Sequence, residues 1–398
     1  MNSDVLEGKK MIQAAVDARD HELRELSLKI HRNPELSFQE YQAMEWLTEP
    51  LEKAGFTIEK GISNLETSFR ATWKGQPGGP TVAILAEYDA LKGLGHGCGH
   101  NIIGTSAVGA ALALKAAHPN LQGEIVVLGT PAEEEGGGKI LMVQDGVFDD
   151  VDVAMMCHPQ KQSMVLRGGL ACVDAIFKFY GKSAHASSAP EKGISALDAV
   201  INTFVTVNSL RQFFKDDVRI HGIITKGGEA TNVVPDYCEA EFLLRAETVD
   251  ELNIVRNKVY AAARHTTEAV GAKLEIIEGL VYAERNNNKK LASLFKENLE
   301  LLGEEVIEPP KKGGIGSSDI GNVGQVTATI HPYIKITDDA TTHTPEFVEA
   351  AKSENGMQGL NKAAKALAMT AYDVCCNPAH FQAIRNEFEE WKKKKQSK

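Results

Sequence analysis

The sequence predicts a two-domain α/β protein in which a large domain, with a mostly parallel sheet flanked by helices, is interrupted by a smaller α+β domain. The chain has 398 residues, more than a single hydrophobic core usually serves. In residues 1–168, short and almost continuous apolar strands alternate with helical segments, which is typical of a parallel sheet covered by helices. Residues 169–282 show the β-α-β-β-α-β order of a ferredoxin-like fold. Residues 283–398 return to helices and buried strands, so the large domain is discontinuous.

The large domain is expected to begin with helices and to continue with buried strands. Apolar residues recur at helical spacing from about residue 3 to residue 55, and Pro34 interrupts this pattern. The predicted buried strands are residues 81–86, 124–128 and 153–156, with a helix over 103–117. Ligands of parallel sheets gather at the carboxyl ends of the strands. The polar residues that follow these three strands are therefore candidates for a functional site.

The smaller domain is expected to contain four strands and two helices. Its predicted strands are residues 173–180, 219–225, 239–245 and 273–277, and its predicted helices are 194–214 and 249–270. In a ferredoxin-like fold, such strands form one antiparallel sheet and both helices cover the same face.

Composition excludes several classes of function. The net charge is −11, whereas a nucleic-acid-binding surface calls for clustered positive charge. No apolar run approaches the roughly 18 residues that a membrane span needs, and the N-terminus shows no signal-peptide pattern. The six cysteines have no regular framework, which predicts reduced thiols. We expect a cytoplasmic protein that binds neither nucleic acid nor a membrane.

A first candidate for metal binding is the pair Cys98 and His100, which lies in a turn with Gly97 and Gly99. The glycines allow the chain to curl and the backbone to approach a cation. Thiolate and imidazole are ligands of zinc and similar ions. Taken alone, an ordinary tight turn with an incidental thiol explains these residues equally well.

A second candidate is the acidic run Glu133, Glu134 and Glu135, which follows the second predicted strand. Carboxylates this close repel one another unless cations or solvent neutralise them. In extended backbone, successive side chains point in opposite directions. One carboxylate could then bind metal while its neighbour accepts a proton from water. A solvated acidic loop is the alternative interpretation.

Three further residues complete the pattern. His158 ends the third predicted strand, and His343 lies near the end of the chain; either would be unremarkable by itself. Asp89 follows the first strand and could hold a ligand imidazole in one tautomer. The order of all these elements, each where a strand ends, predicts a two-metal hydrolase.

The smaller domain offers three polar candidates on weaker grounds. His185 lies in a loop between a predicted strand and helix, Asn232 lies in a second polar loop, and Arg245 ends the strand that follows. Spacing alone favours ordinary connecting loops for these residues.

Taken in order, the motifs resemble those of the co-catalytic metallopeptidases that include aminoacylase, carboxypeptidase G and the indoleacetyl-amino-acid hydrolases. The resemblance extends over nearly the whole chain, and Cys98 in place of an aspartate-based ligand marks the amidohydrolase branch. Four segments resemble the subgroup of aminobenzoyl-glutamate hydrolase and β-alanyl-lysine-type dipeptidases: residues 86–91, 98–101, 318–323 and 331–333.

The resemblance implies a ligand set for two divalent metal ions. Cys98 would bridge the ions, His100 and His158 would complete one site, and Glu134 and His343 would complete the other. Zinc and manganese are the expected metals, with nickel and cobalt also open.

The resemblance also implies roles in catalysis. Glu133 would be the general base and acid. The family's usual pair of glutamates is followed by glycine, whereas here Glu135 extends the pair and leaves an ambiguity of one residue. Counting back from Met142 without a gap keeps Glu133 as the base and Glu134 as the metal ligand. His185 and Asn232, from a lid, would stabilise the oxyanion or hold the acyl group. Arg245 would bind the substrate carboxylate.

Further implications concern the pocket and the assembly. Residues 313–318, with Ser318 among them, and His331 would line the substrate pocket. The inserted domain would serve as lid and dimerisation domain, and in a homodimer the lid histidine His185 would reach the partner's site.

The sequence therefore predicts a metal-dependent hydrolase that cleaves the amide bond of N-acyl or aroyl amino acids or of dipeptides. One alternative is a non-catalytic amino-acid-binding or peptide-binding protein on the same fold, which the complete ligand set argues against. The other is a carbamoyl-amino-acid amidohydrolase, which Cys98 argues against because the ligand motifs of those enzymes are normally aspartate-based.

Overall fold

The computed structural model describes residues 3–310 and 316–397. By its internal contacts the chain divides into two compact units. The larger unit comprises Met1–Gly168 and Arg285–Lys398, and the smaller unit comprises Gly169–Glu284.

The first segment of the larger unit begins with three helices, which are α1 (Ser3–Asp17), α2 (Asp20–Arg32) and α3 (Tyr41–Lys53). The elements that follow are β1 (Thr57–Lys60), β2 (Phe69–Lys74), β3 (Gln76–Ala86), α4 (His100–Ala117), β4 (Gln122–Gly129), α5 (Gly138–Gln144), β5 (Val153–Met155) and β6 (His158–Gln160). Strands β3, β4 and β5 contain the three predicted apolar runs. Their interiors are buried because helices cover both faces of a parallel sheet.

The smaller unit contains β7 (Ala171–Tyr180), α6 (Ala196–Leu210), β8 (Arg219–Lys226), β9 (Tyr237–Ala246), α7 (Val249–Ala269) and β10 (Lys273–Glu278). Its sheet has the order β10-β7-β9-β8, and all neighbours are antiparallel. Ser195 and Thr248 cap the two helices by accepting hydrogen bonds from backbone amides of the first turn. Phe177 and Phe242 of the sheet pack with Val255 of α7 in the core of the unit. The predicted ferredoxin-like arrangement is confirmed.

The second segment of the larger unit contains α8 (Lys289–Leu301), α9 (Ile320–Val326), β11 (Ala328–Ile330), β12 (Tyr333–Lys335), α10 (Pro345–Ala351), α11 (Glu354–Cys376) and α12 (Pro378–Gln396). The main sheet has the order β1-β2-β4-β3-β5-β11. Strands β4, β3, β5 and β11 are parallel, whereas β1 and β2 are antiparallel additions at one edge. Strands β6 and β12 form a separate parallel pair. The predicted α/β class with a mostly parallel sheet is confirmed.

Helix α4 is buried on almost every side, as expected for a helix that is apolar all round. It packs against α1, α2, α11 and the sheet. Its glycines permit this close approach: a Cβ atom on Gly109 would lie 2.7 Å from a methyl group of Leu23, and one on Gly104 would lie 2.9 Å from the Glu87 carbonyl oxygen. The amino end of α4 is therefore held against the carboxyl end of β3.

Within the part of the chain that the structure describes, no helix combines the length and apolar character that crossing a membrane requires.

Candidate metal centre

Cys98 and His100 lie at the start of α4, where the chain requires glycine. Gly99 has a φ of 78°, and a Cβ atom there would lie 2.5 Å from Cγ of Pro159. Both the left-handed backbone and the close approach favour glycine. Because Pro159 follows His158, this packing brings the Cys98 loop to the end of strand β5.

The Cys98 thiol belongs to two groups of potential metal ligands. Its Sγ atom lies 3.4 Å from Nε2 of His158 and 3.5 Å from Nε2 of His343. One group consists of Cys98, His100 and His158, and the other of Cys98, Glu134 and His343; within each, the ligand atoms lie within 4.8 Å of one another. One sulfur atom is thus shared by both groups.

The His100 imidazole is fully buried, and Asp89 fixes its orientation. Nδ1 of His100 lies 2.9 Å from Oδ1 of Asp89, which directs Nε2 towards the ligand groups. Burial alone would raise the pKa of Asp89, but the positive charge of His100 and the hydrogen bond from it lower this pKa to about 2. Oδ2 of Asp89 accepts a hydrogen bond from the Glu134 amide at 2.9 Å. Asp89 therefore links the loop after β3 to the loop after β4.

Glu133 and Glu134 face the same imidazole. Their nearest oxygens lie 4.0 and 3.8 Å from Nε2 of His100. The expectation that extended backbone directs them to opposite sides is wrong. Residues 133–136 form a turn, and Ala132 before it has a φ of 62°. Burial, followed by the charges of Glu87 and Glu134, raises the pKa of Glu133 well above its ordinary value.

His343 approaches from a strained turn. Its φ of 67° is unusual for a residue with a side chain and costs on the order of 1–3 kcal/mol. The His343 amide donates a hydrogen bond to the Gly97 carbonyl at 2.8 Å, which helps to hold this conformation. Nε2 of His343 lies 3.5 Å from Oε2 of Glu134.

These residues fit divalent cations. Nε2 of His100 and Oε1 of Glu134 are buried and lack a hydrogen-bond partner among the described residues, whereas buried polar atoms are nearly always paired. Burial, followed by the charge of Glu134, raises the pKa of the Cys98 thiol, so a thiolate there needs a nearby positive charge. Sulfur, nitrogen and carboxylate oxygen are the ligand types of zinc and similar ions.

The sequence interpretation missed a buried ion-pair network behind the ligand groups. Nζ of Lys139 lies 2.6 Å from Oε1 of Glu87 and 2.8 Å from Oδ1 of Asp319, and the Lys139 amide donates to Oδ2 of Asp319. The second oxygen of Glu87 lies 3.5 Å from Nε2 of His100. Although burial opposes it, the charges of Asp319 and Glu87 raise the pKa of Lys139. A lysine after three glycines carries no local signal of such burial.

Two predicted pocket residues lie in the larger unit. Ser318 is buried, and its Oγ atom has no hydrogen-bond partner among the described residues. His331 is buried with its ring centroid 5.4 Å from that of His158. Of the predicted lining segment 313–318, residues 313–315 lie outside the described residues.

The three candidates of the smaller unit do not converge within that unit. The His185 loop pairs with the Asn232 loop, since the Ala186 amide donates to the Asn232 carbonyl at 3.0 Å. These loops adjoin the pair Tyr180 and Tyr237, whereas Arg245 lies opposite Cys172 at the other end of β7 and β9. The two ends are eight residue steps apart along the strand, a distance of roughly 27 Å.

The α/β fold, together with thiol, imidazole and carboxylate groups at the carboxyl ends of parallel strands, defines the class of metallohydrolases. The chain belongs to the family described as peptidase family M20/M25/M40, whose model matches residues 77–366. The predicted family resemblance is confirmed.

Relatives support this assignment over most of the chain. An Xaa-Arg dipeptidase of Mus musculus is 38% identical over 396 residues, which cover 96% of this chain and 92% of that protein. A p-aminobenzoyl-glutamate hydrolase component of Escherichia coli is 36% identical over 63% of this chain and 56% of its own length. A Bacillus subtilis structure, described as a dinuclear metal binding peptidase from the M20 family, shares the fold, with a TM-score of 0.67 at 20% identity over 90% of this chain and 99% of that chain. The chain is a hydrolase that acts on amide or peptide bonds.

Glu40 holds the strained backbone just before Glu133. Its two carboxylate oxygens accept hydrogen bonds from the Ala132 amide at 2.9 Å and from Oγ1 of Thr67 at 2.8 Å. The side chain is completely buried. Burial, followed by the charge of Asp89, raises the pKa of Glu40 from 4.5 to about 7.

This raised pKa predicts a pH-dependent stability difference for Glu40→Gln. Between pH 4.5 and about 7 the native protein holds a proton that the unfolded chain releases, so the stability of the wild type falls as the pH rises. The variant lacks this titration. Its free energy of unfolding relative to the wild type should therefore increase by up to about 3 kcal/mol across that window.

Urea unfolding followed by tryptophan fluorescence measures this difference, because Trp46, Trp73 and Trp391 all belong to the larger unit. Glu45→Gln, on the exposed face of α3, is the matched control and should show no comparable pH-dependent difference. A constant difference between Glu40→Gln and wild type from pH 5 to pH 8 would contradict the prediction.

Proposed function

We propose that the protein hydrolyses the amide bond between an acyl, aroyl or aminoacyl group and the amino group of an amino acid. The observation that carries this proposal is the pair of ligand groups that share Cys98 beside Glu133. The names of two relatives, an Xaa-Arg dipeptidase and a p-aminobenzoyl-glutamate hydrolase component, belong to this class of reaction.

Two divalent cations would be held by the side chains around Cys98. His100 and His158 would complete one site with the thiolate, and Glu134 and His343 would complete the other. The Bacillus subtilis relative is described as dinuclear, which supports a count of two. Zinc and manganese suit the ligands, with nickel and cobalt as further candidates. Bound divalent cations acidify water and polarise a carbonyl group.

Glu133 would carry the proton. Its side chain lies beside the ligand groups but belongs to neither group that contains Cys98. Its carboxylate would take a proton from the attacking water and then donate it to the leaving amine, the usual role of a positioned general base and acid.

The remaining predicted residues would bind the substrate. Ser318 and His331 would line the pocket of the larger unit. From the smaller unit, acting as a lid, His185 and Asn232 would hold the acyl group or stabilise its oxyanion, and Arg245 would bind a carboxylate. The register of β7 and β9 separates Arg245 from His185 and Asn232. In a dimer, Arg245 of one lid would therefore serve one active site, and His185 and Asn232 of the same lid would serve the other.

We also propose a cytoplasmic location. Cys98, Cys157, Cys238, Cys375 and Cys376 are thiols rather than disulfides, which is usual in reducing compartments.

Glu133→Gln should keep the metal and lose most activity. Glutamine preserves the shape of the side chain but cannot accept the proton, so turnover should fall by about 10²–10⁴-fold. Assays with N-acyl amino acids and dipeptides after reconstitution with each metal, together with elemental analysis, measure both properties. Glu135→Gln changes the exposed neighbour and should remain active. Normal turnover in Glu133→Gln, or loss in Glu135→Gln instead, would overturn the assignment of the base.

Cys98→Ala should reduce the metal content, because it removes the ligand that both groups share. The wild type should hold two ions per chain after dialysis against trace metal, and the variant should hold fewer. Cys376→Ala removes an exposed thiol of α11 and serves as the control. Retention of two ions in Cys98→Ala would refute the bridging role.

We propose further that the protein is a homodimer formed through the smaller unit. Strand β8 is an edge of the sheet, and its residues Ile223 and Ile224 are 63% and 44% exposed. Successive residues point to opposite faces of a sheet, so both faces are uncovered there. A long apolar edge strand is a template for pairing with another chain. Val205 of the neighbouring helix α6 is also exposed.

Ile223→Lys should therefore convert the dimer to a monomer in size-exclusion chromatography with light scattering. Ile277→Lys is the matched control, because Ile277 is exposed on β10 at the opposite edge. It should leave the dimer intact. A monomeric wild type, or dissociation by the control alone, would contradict the proposed interface.

A further inference from the structure

The side chains of two arginines, Arg167 and Arg285, lie close to Tyr333, a tyrosine next to the two groups of potential metal ligands. Tyr333 lies opposite His158 in the pairing of β12 with β6, and their ring centroids are 5.5 Å apart. The guanidinium carbon atoms of Arg167 and Arg285 lie 5.4 and 5.7 Å from the centroid of the Tyr333 ring. Nη1 of Arg285 also donates a hydrogen bond to the Tyr333 hydroxyl at 2.6 Å. All these residues belong to the larger unit.

These two positive charges have no counter-charge among the described residues. Arg24, Arg70 and Arg256 each form an ion pair with a carboxylate, whereas no carboxylate of the part of the chain that the structure describes pairs with Arg167 or Arg285. In addition, Nε of Arg285 is buried and has no hydrogen-bond partner among residues 3–310 and 316–397. Buried donors are rarely left unpaired, and neighbouring like charges repel one another. An anion would supply both the missing hydrogen-bond acceptor and the missing negative charge.

The chemistry of the arginine side chain indicates which anion. A guanidinium presents its donors in a planar fork that matches a carboxylate. The Tyr333 ring lies within 6 Å of both guanidinium groups and of the His158 ring, so a bound amino acid with its amide near His158 would bring its side chain towards the arginines. Two guanidinium groups carry more positive charge than one α-carboxylate neutralises.

We propose that Arg285 and Arg167, with Tyr333, form a subsite for a side-chain carboxylate, so that the preferred substrates are acyl or aroyl conjugates of glutamate or aspartate. This inference rests on the proposed amide hydrolysis and adds the substrate class. The same charges repel a leaving group with a cationic side chain. Specificity should therefore differ from that named for the Xaa-Arg dipeptidase of Mus musculus.

Comparing N-benzoyl-glutamate with N-benzoyl-glutamine tests the subsite, because the two conjugates differ only in the side-chain charge. The wild-type protein, reconstituted with metal, should show a kcat/KM for the glutamate conjugate about tenfold to hundredfold higher, the range of a charge-assisted hydrogen bond. N-benzoyl-arginine should be the poorest of the three substrates.

Arg285→Gln should abolish this preference selectively. The kcat/KM for N-benzoyl-glutamate should fall by the same factor, mainly through KM, while that for N-benzoyl-glutamine changes by less than about threefold. Arg167→Gln should act in the same direction, and Arg285→Lys should restore part of the preference. Arg256→Gln, in the smaller unit and paired with Glu278, is the control and should leave the ratio unchanged.

The outcomes separate this inference from the proposed function. Equal hydrolysis of the glutamate and glutamine conjugates by the wild type would overturn the subsite and support amide hydrolysis. Equal losses for both conjugates in Arg285→Gln would assign Arg285 a structural role and overturn the subsite. If no conjugate or dipeptide is cleaved, the proposed function fails. In that case, isothermal titration calorimetry tests the subsite by comparing the affinities of the wild type for N-benzoyl-glutamate and N-benzoyl-glutamine. Equal affinities would overturn the subsite.

Discussion

The structure depends on a concentration of buried negative charge at the amino end of α4. Glu87, Asp89, Glu133 and Glu134 all approach the His100 imidazole, and Lys139 offsets part of this charge through Glu87 and Asp319. Carboxylates taken out of water are costly unless they are paired or bind metal. Cations at this position would therefore complete the packing of the loops as well as supply the chemistry. The same cations would thus contribute to the stability of the fold and to the reaction.

The backbone of the loops is shaped for the same purpose. Gly99, Ala132 and His343 all have positive φ values, and each lies within two residues of a proposed ligand or is one itself. Ala132 is held by the buried carboxylate of Glu40, and His343 is held by the carbonyl of Gly97. Strain at Ala132 and His343 persists because buried hydrogen bonds and close packing determine the conformation, whereas glycine adopts the conformation of Gly99 without strain. Backbone contacts thus help to position the side chains that we propose as metal ligands.

Much of the fold, and which side chains meet at the candidate site, could be predicted because the signals are local. Buried strands such as β4 are apolar runs, and Cys98 and His158 follow turns or strand ends that any α/β sheet brings to one edge. Lys139 and Arg285 could not be predicted in the same way. Their roles come from partners far along the chain, and a single lysine or arginine is usually solvated. The sequence predicted extended backbone at Glu133 and Glu134, whereas residues 133–136 form a turn. An apolar run predicts a strand but does not show at which residue the extended backbone ends.

The pairing of β6 with β12 joins two regions of opposite charge. His158 lies beside Cys98, and the guanidinium groups near its register partner Tyr333 form no ion pair with a carboxylate among the described residues. The proposed metal ligands lie at the start of α4 and just before it, in the turn after β4, at the start of β6 and in the turn before α10, whereas Arg167 and Arg285 lie in none of these segments. On the proposed roles, substitutions at the two arginines would change the charge of the accepted leaving group and leave the proposed metal ligands in place.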